Sequence, residues 1–129
     1  KLKVTVDCQK LPENLHIDLD RKAMPYALRN LLRNAFKYAS KEIRVSAELV
    51  GEQIMIHVDD DGIGIPPEER EHIFSAFTRL DRSRDRSTGG YGLGLAIARR
   101  VLELHGGTAT ADASPLGGAR FTLTWKAHR

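Results

Sequence analysis

Apolar and polar residues alternate along this chain with two different periods, and the changes of period divide it into elements. Residues 4–7 and 15–19 read as two short strands around a turn at Pro12. Asp20 suits a helix N-cap, and Pro25 falls in the first turns of the helix it would open. From there to about Ser40, Met24, Leu28, Leu31, Leu32, Ala35 and Ala39 share one apolar face at about 100° per residue. Ile43, Val45, Ala47 and Leu49 then alternate with Glu42, Arg44, Ser46 and Glu48, as on a half-buried strand. Gly51-Glu52 turns the chain, and Ile54, Ile56 and Val58 continue the alternation, so the pair predicts an antiparallel hairpin.

Pro66-Pro67-Glu68-Glu69 opens a short helix reaching Phe74, because early proline and first-turn acid suit a helix N-terminus. Residues 78–90 carry many charges and few apolar groups, which predicts a mobile loop. A helix over about 93–105 ends at Gly106-Gly107. A last hairpin pairs residues 108–113 with 120–126, with Phe121, Leu123 and Trp125 pointing inward. The order β-β-α-β-β-α-α-β-β predicts an α+β protein: a two-layer α/β sandwich with a mixed, mainly antiparallel sheet and three helices on one face.

Composition narrows the classes without choosing among them. The length, 129 residues, fits one domain over 1–129, and 41% hydrophobic with 29% charged residues is ordinary for a globular chain. No apolar run approaches the length of a membrane span, and no signal peptide is visible. The first residue is not Met, and the abrupt start reads as a piece of a longer protein. Cys8 alone cannot form an internal disulfide and reads as buried filler in a reducing compartment. A net charge of +3 favours anionic partners without selecting one.

Three segments carry candidate chemistry. Asn30, Asn34, Lys37 and Tyr38 recur at helical spacing and are expected on a face opposite the apolar stripe. Amides can ligate Mg²⁺, the ammonium can meet phosphate and the ring can pack on a base; a solvated polar face would show the same residues. Asp59-Asp60-Asp61-Gly62-Ile63-Gly64-Ile65-Pro66 ends a strand. A carboxylate there can accept a hydrogen bond from an exocyclic amine, and the glycines let backbone approach a planar ligand; an ordinary acidic turn fits too. Gly89-Gly90-Tyr91-Gly92-Leu93-Gly94-Leu95 runs into a helix, where free N–H groups suit phosphate, although a plain hinge is equally compatible. It lacks the Gly-Lys-Ser/Thr ending of a Walker loop and the spacing of a dinucleotide fingerprint.

Taken in order, these segments resemble the histidine-kinase branch of the GHKL superfamily, which also holds gyrase B, the Hsp90 chaperones and MutL. Asn30-Leu31-Leu32-Arg33-Asn34-Ala35-Phe36-Lys37-Tyr38 looks like the family's N box, and Asp60-Asp61-Gly62-Ile63-Gly64 like its G1 box. Ile73-Phe74-Ser75-Ala76-Phe77 looks like the F box, and Gly90-Tyr91-Gly92-Leu93-Gly94-Leu95 like G2. The resemblance implies a Bergerat-type sandwich that binds ATP with Mg²⁺. It implies Asn34 as the main Mg²⁺ ligand with Asn30 supporting it, Lys37 on phosphate and Tyr38 along the adenine pocket. Asp60 would bind the adenine amine, with Gly62 and Gly64 shaping the turn. Gly90, Gly92 and Gly94, with Leu95, would hinge a lid over the phosphates, and Arg79 would reach the γ-phosphate from it. Relatives often place Thr or Ser after the last Gly-Gly; Ala119 departs from this, and Thr122 is a weak substitute.

ATP-hydrolysing relatives carry a water-activating Glu four residues before the magnesium-binding Asn, where this chain has Asn30. A neutral amide is a poor general base, so transfer to another group is expected rather than efficient hydrolysis. None of His16, His57, His72, His105 or His128 sits in the family's phosphoacceptor context, so each is expected to be structural. The acceptor is therefore expected on the protein's own dimerisation domain, with a response regulator served indirectly. The resemblance further implies the cytoplasmic face of the inner membrane, a monomeric fragment and a homodimeric whole, with no nucleic acid and no membrane contact made by these residues. A nucleotide module without transfer activity remains compatible. So does a nucleic-acid binder using Arg79, Arg82, Arg84 and Arg86, although these arginines alternate with acids and lack interleaved aromatics.

Overall fold

A computed structural model describes residues 1–75 and 94–127. One sheet holds β1 (Lys3–Lys10), β2 (Glu42–Val50), β3 (Gln53–Asp60), β4 (Thr108–Ala113) and β5 (Ala119–Lys126), in the order β1-β2-β3-β5-β4. β1 runs parallel to β2, and the other neighbours are antiparallel. Helices α1 (Ala23–Tyr38) and α2 (Gly94–Leu104) pack against each other and the sheet, with two 3-10 turns at Pro67–Glu69 and His72–Phe74. The expected two-layer sandwich therefore stands, its middle helical segment being the pair of 3-10 turns. Two adjoining prolines cannot donate backbone hydrogen bonds, and the segment is too short to repay α-helix nucleation.

The period-two positions build the core. Val58 pairs with Phe121, Ile56 with Leu123 and Ile54 with Trp125, all on the helix-facing side. Phe121 and Leu123 are buried, each worth about 1.5–3 kcal/mol of hydrophobic stabilisation. From α1, Met24, Ala27, Leu31 and Ala35 meet them, and from α2 Leu95, Ala98, Val101 and Leu102.

Two expectations fail outside the site. Residues 15–19 are not a strand, with only a single bridging residue at His16. Leu15 and Ile17 instead lie partly buried against the core, so their alternation records an irregular segment laid on the edge of that core. Cys8 is exposed, because β1 is an edge strand that the helices do not cover.

Asp20 does cap α1: its Oδ1 accepts the N–H groups of Lys22 (2.9 Å) and Ala23 (2.8 Å). The N–H of Asp20 in turn donates to His105 Nε2 (2.9 Å), while His105 Nδ1 lies 2.7 Å from the Val101 carbonyl. His105 thereby ties the end of α2 to the cap of α1.

Candidate nucleotide-binding site

Consecutive residues on a strand end point apart, and the three acids at 59–61 use this to do three different things. Asp59 faces the open side of the sheet, where Arg120 donates to both of its oxygens (2.8 and 3.0 Å). Asp61 Oδ1 accepts the N–H groups of Ser40 (2.8 Å) and Lys41 (3.0 Å), and these bonds lower its pKa. They join the α1–β2 connection to the end of β3. Asp60 lies between, 1% exposed and paired in register with Ile43. The three carboxylates thus diverge, and among the described residues they form no cluster that could hold a metal ion.

The Asp60 carboxylate is shaped by backbone. Gly62 N–H (2.9 Å) and Ala119 N–H (3.1 Å) both donate to Oδ1, and Gly118 N–H donates to the Asp60 carbonyl (3.1 Å). Burial raises its pKa above the ordinary 3.8, and these hydrogen bonds oppose the rise. A side chain at Gly118 would collide with Asp60 Oδ1, and one at Gly62 with the Tyr38 carbonyl. Gly64, at φ +75°, packs near the Gly118 carbonyl. Gly118 and the Ala119 amide are thus site residues that sequence reasoning misses. The Gly117-Gly118 pair is the available signal, and in the sequence it reads only as a turn. Thr122 takes no part: it faces the other side of the sheet, 2.9 Å from His57 Nδ1, and His57 Nε2 lies 3.0 Å from Glu48.

The α1 residues line up as expected in spacing but not in exposure. Asn30 is 9% exposed and belongs to the buried set of α1, so the polar face flanks the apolar stripe rather than opposing it. Among the described residues its Nδ2 has no hydrogen-bond partner. Gly94 lies beside it: a Cβ built there would stand 3.4 Å from Asn30 Oδ1, at ordinary contact distance. Asn34 and Tyr38 follow on successive turns, half-buried. Lys37 is exposed, its ammonium 5.9 Å from the Tyr38 ring centroid, and partial burial lowers its pKa. Leu95 turns its side chain into the core. Arg79, Gly90 and Gly92 lie outside the described residues, as do the whole segment 78–90 and His128.

These candidate residues therefore line up along α1. Gly62 sits against its last turn at Tyr38, and Gly94 sits against its middle at Asn30. Eight residues separate the two, about 12 Å of helix. The sheet end offers a buried carboxylate, the helix end one buried and one half-buried amide.

Among the described residues, no helix is long and apolar enough to cross a membrane. Residues 19–129 match the family described as histidine kinase-, DNA gyrase B- and HSP90-like ATPases. The sensor protein RstB of Escherichia coli (strain K12) is 49% identical over 94% of this chain and 28% of its own length, so the chain spans little more than a quarter of that relative. The ATP-binding domain of PrrB from Mycobacterium tuberculosis superposes with a TM-score of 0.74 at 30% identity, covering 99% of this chain and 82% of that one. Full-length ShkA, solved with AMPPNP, gives 0.80 at 26% identity over 98% of this chain and 26% of its own. The four boxes, the sandwich and these likenesses agree, and the chain belongs to the family of histidine kinase-, DNA gyrase B- and HSP90-like ATPases.

Proposed function

We propose that residues 1–129 form one domain that binds Mg-ATP and passes its γ-phosphoryl group to a histidine on a separate dimerisation domain of the same sensor kinase. The observation that carries this reading is the buried Asp60 carboxylate, whose two described hydrogen bonds both fall on Oδ1. Oδ2 is then the acceptor for the exocyclic amine of adenine, and guanine, with a carbonyl there, would leave two acceptors facing each other. Gly62, Gly64 and Gly118 let the base approach, and Tyr38 lines its side.

The phosphates lie toward Asn30 and Gly94. Mg²⁺ keeps much of its water and binds chiefly through substrate phosphates, so it needs few protein oxygens. The Asn34 and Asn30 carboxamides fit that requirement, and the unpartnered Asn30 Nδ2 is a donor for phosphate or for water on the ion. When bound, the ion neutralises charge on the moving phosphoryl group. Lys37, exposed at the rim, adds a cation. Arg79, Gly90, Gly92 and the backbone at Leu95 take their phosphate-side roles from the family resemblance. Asn30 lacks the basicity to activate water, which favours transfer over hydrolysis. The same reading implies a homodimeric parent protein at the cytoplasmic face of the inner membrane, serving a response regulator indirectly. No nucleic acid and no membrane contact of these residues is involved.

Calorimetry with ATP, GTP and ADP, with and without Mg²⁺, tests the site. Magnesium-dependent binding selective for ATP is expected, and Asn34→Ala should abolish the magnesium dependence. Transfer to a histidine-bearing helical domain then tests the kinase step. A folded protein with equal affinity for ATP and GTP would refute the role given to Asp60.

A further inference from the structure

Arg99 is heavily engaged among the described side chains outside the four boxes. It projects from the middle of α2, and its guanidinium binds Glu71 through two parallel bonds, Nη1 to Oε1 and Nη2 to Oε2, both 2.9 Å. Nη2 and Nε also donate to the Ala109 carbonyl on β4, at 2.8 and 3.3 Å. Its face lies 4.1 Å from the centroid of the Phe74 ring. Phe74 in turn meets Phe121 edge-on, at 6.2 Å and 81°. One planar group thus joins α2, β4 and the second 3-10 turn, and reaches β5 through an aromatic pair.

The connection matters because of where α2 begins. Gly94 lies beside the Asn30 carboxamide, where a Cβ built on it would stand 3.4 Å from Oδ1, and Arg99 lies five residues further, about 7.5 Å along the axis. Apolar packing of Leu95, Ala98 and Leu102 holds α2 on the core but tolerates small axial slides. Directional bonds to Glu71 and Ala109 do not. Lysine cannot reproduce them, since a single ammonium has no fork and no planar face to lay on Phe74.

We infer that Arg99 is a positioning residue for the phosphate end of the nucleotide site: it fixes α2 along its axis so that the helix start at Gly94 keeps its place beside the Asn30 carboxamide. This rests on the nucleotide reading proposed above, but the placement of Gly94 beside Asn30 exists without nucleotide and can be followed separately. Glu71, mostly exposed, is its anchor, and the bidentate bond lowers the Glu71 pKa.

The test compares Arg99→Lys, Glu71→Gln and, as a control on the same helix, Arg100→Ala. Melting temperature, Mg-ATP affinity well below the melt, and the Asn30 side-chain amide resonances in the free protein are measured. Arg99→Lys should move the Asn30 resonances and weaken Mg-ATP binding roughly three- to thirtyfold, with Glu71→Gln smaller in the same direction. Arg100→Ala should change neither. A purely structural arginine would lower the melting temperature yet leave both readouts at wild-type values, and that result overturns the inference. If the wild-type protein binds no Mg-ATP, the nucleotide reading falls instead, and unmoved Asn30 resonances would then overturn the positioning role as well.

Discussion

Replacing Gly118 by alanine tests how the carboxylate is built. The added methyl would collide with Asp60 Oδ1, and it would stand 2.5 Å from the Gly62 nitrogen and 2.6 Å from the Asp60 carbonyl oxygen. Two of these neighbours are backbone, so no side-chain rotation relieves them, and β5 or the 60–62 turn must move. Overpacking of this kind costs about 1–3 kcal/mol, and at about 3–6 °C per kcal/mol the melting temperature should fall roughly 5–15 °C. Displacement also breaks the alignment of Ala119 N–H with Asp60 Oδ1. A hydrogen bond to a charged group is worth about 1.5–3 kcal/mol, so Mg-ATP affinity should fall roughly ten- to hundredfold. Gly107→Ala supplies the control, because its methyl would collide with the Thr124 carbonyl and stand 2.8 Å from Trp125 Cβ, at the far end of β5. It should destabilise to a similar degree without changing affinity. Calorimetry at a temperature where both variants are folded separates the cases. Wild-type affinity in Gly118→Ala, or equal losses in both variants, would refute the reasoning.

Asp60→Asn keeps the shape and an acceptor for both backbone donors, but puts an amide where the adenine amine would bind. It should be at least as stable as wild type near neutral pH while losing at least tenfold in ATP affinity and its preference over GTP. The sign follows from the raised pKa of Asp60: its protonated form favours folding below pH 3.8, and that contribution is lost as pH rises through the folded value. ATP affinity in wild type should therefore fall on acidification at a higher pH than an exposed aspartate would give, and an Asp60→Asn profile with the same inflection would contradict this. Arg120→Met leaves Asp59, 1% exposed, without its partner and should cost about 3 kcal/mol, which denaturant titration would read. Adding Asp59→Leu should recover much of the loss, and failure to do so would show that the pair is not the source.

How much of this is visible in the chain depends on the distance over which each feature is encoded. The helix α1, the β2–β3 hairpin and the inward Phe121, Leu123 and Trp125 follow from periodicity within a few residues, and all stand. Asp60, Gly62 and Gly64 are legible because a carboxylate and two glycines at a strand end form a local signal. The Ala119 amide lies 59 residues from the carboxylate it serves, and as a backbone group it leaves no mark in residue type. Arg120 and Arg99 find their partners 61 and 28 residues away, so nothing nearby in sequence separates them from solvated arginines. The alternation at residues 15–19 misleads for the opposite reason, since a loop packed on a core edge buries every second residue much as a strand does.

The two ends of the candidate site are made by different parts of the fold, and this bears on how they can vary. The carboxylate end is held by strand register: Asp59 opposite Arg120 and Ile43 opposite Asp60 leave Ala119 and Gly118 no alternative position without sliding a whole strand. The amide end is held by helix packing, where Gly94 lies beside Asn30 across two helices whose apolar contacts tolerate small axial shifts. A change in α2 should therefore alter the phosphate end before the base end. Differences between triphosphate and diphosphate affinity should be the first readout to respond to substitutions on α2, while adenine preference should respond to substitutions on β3 and β5. The helix α1 links the two through about 12 Å of rigid backbone, with Tyr38 against Gly62 and Asn30 against Gly94. Substitutions that loosen α1 itself, such as loss of its Asp20 cap, should weaken both together.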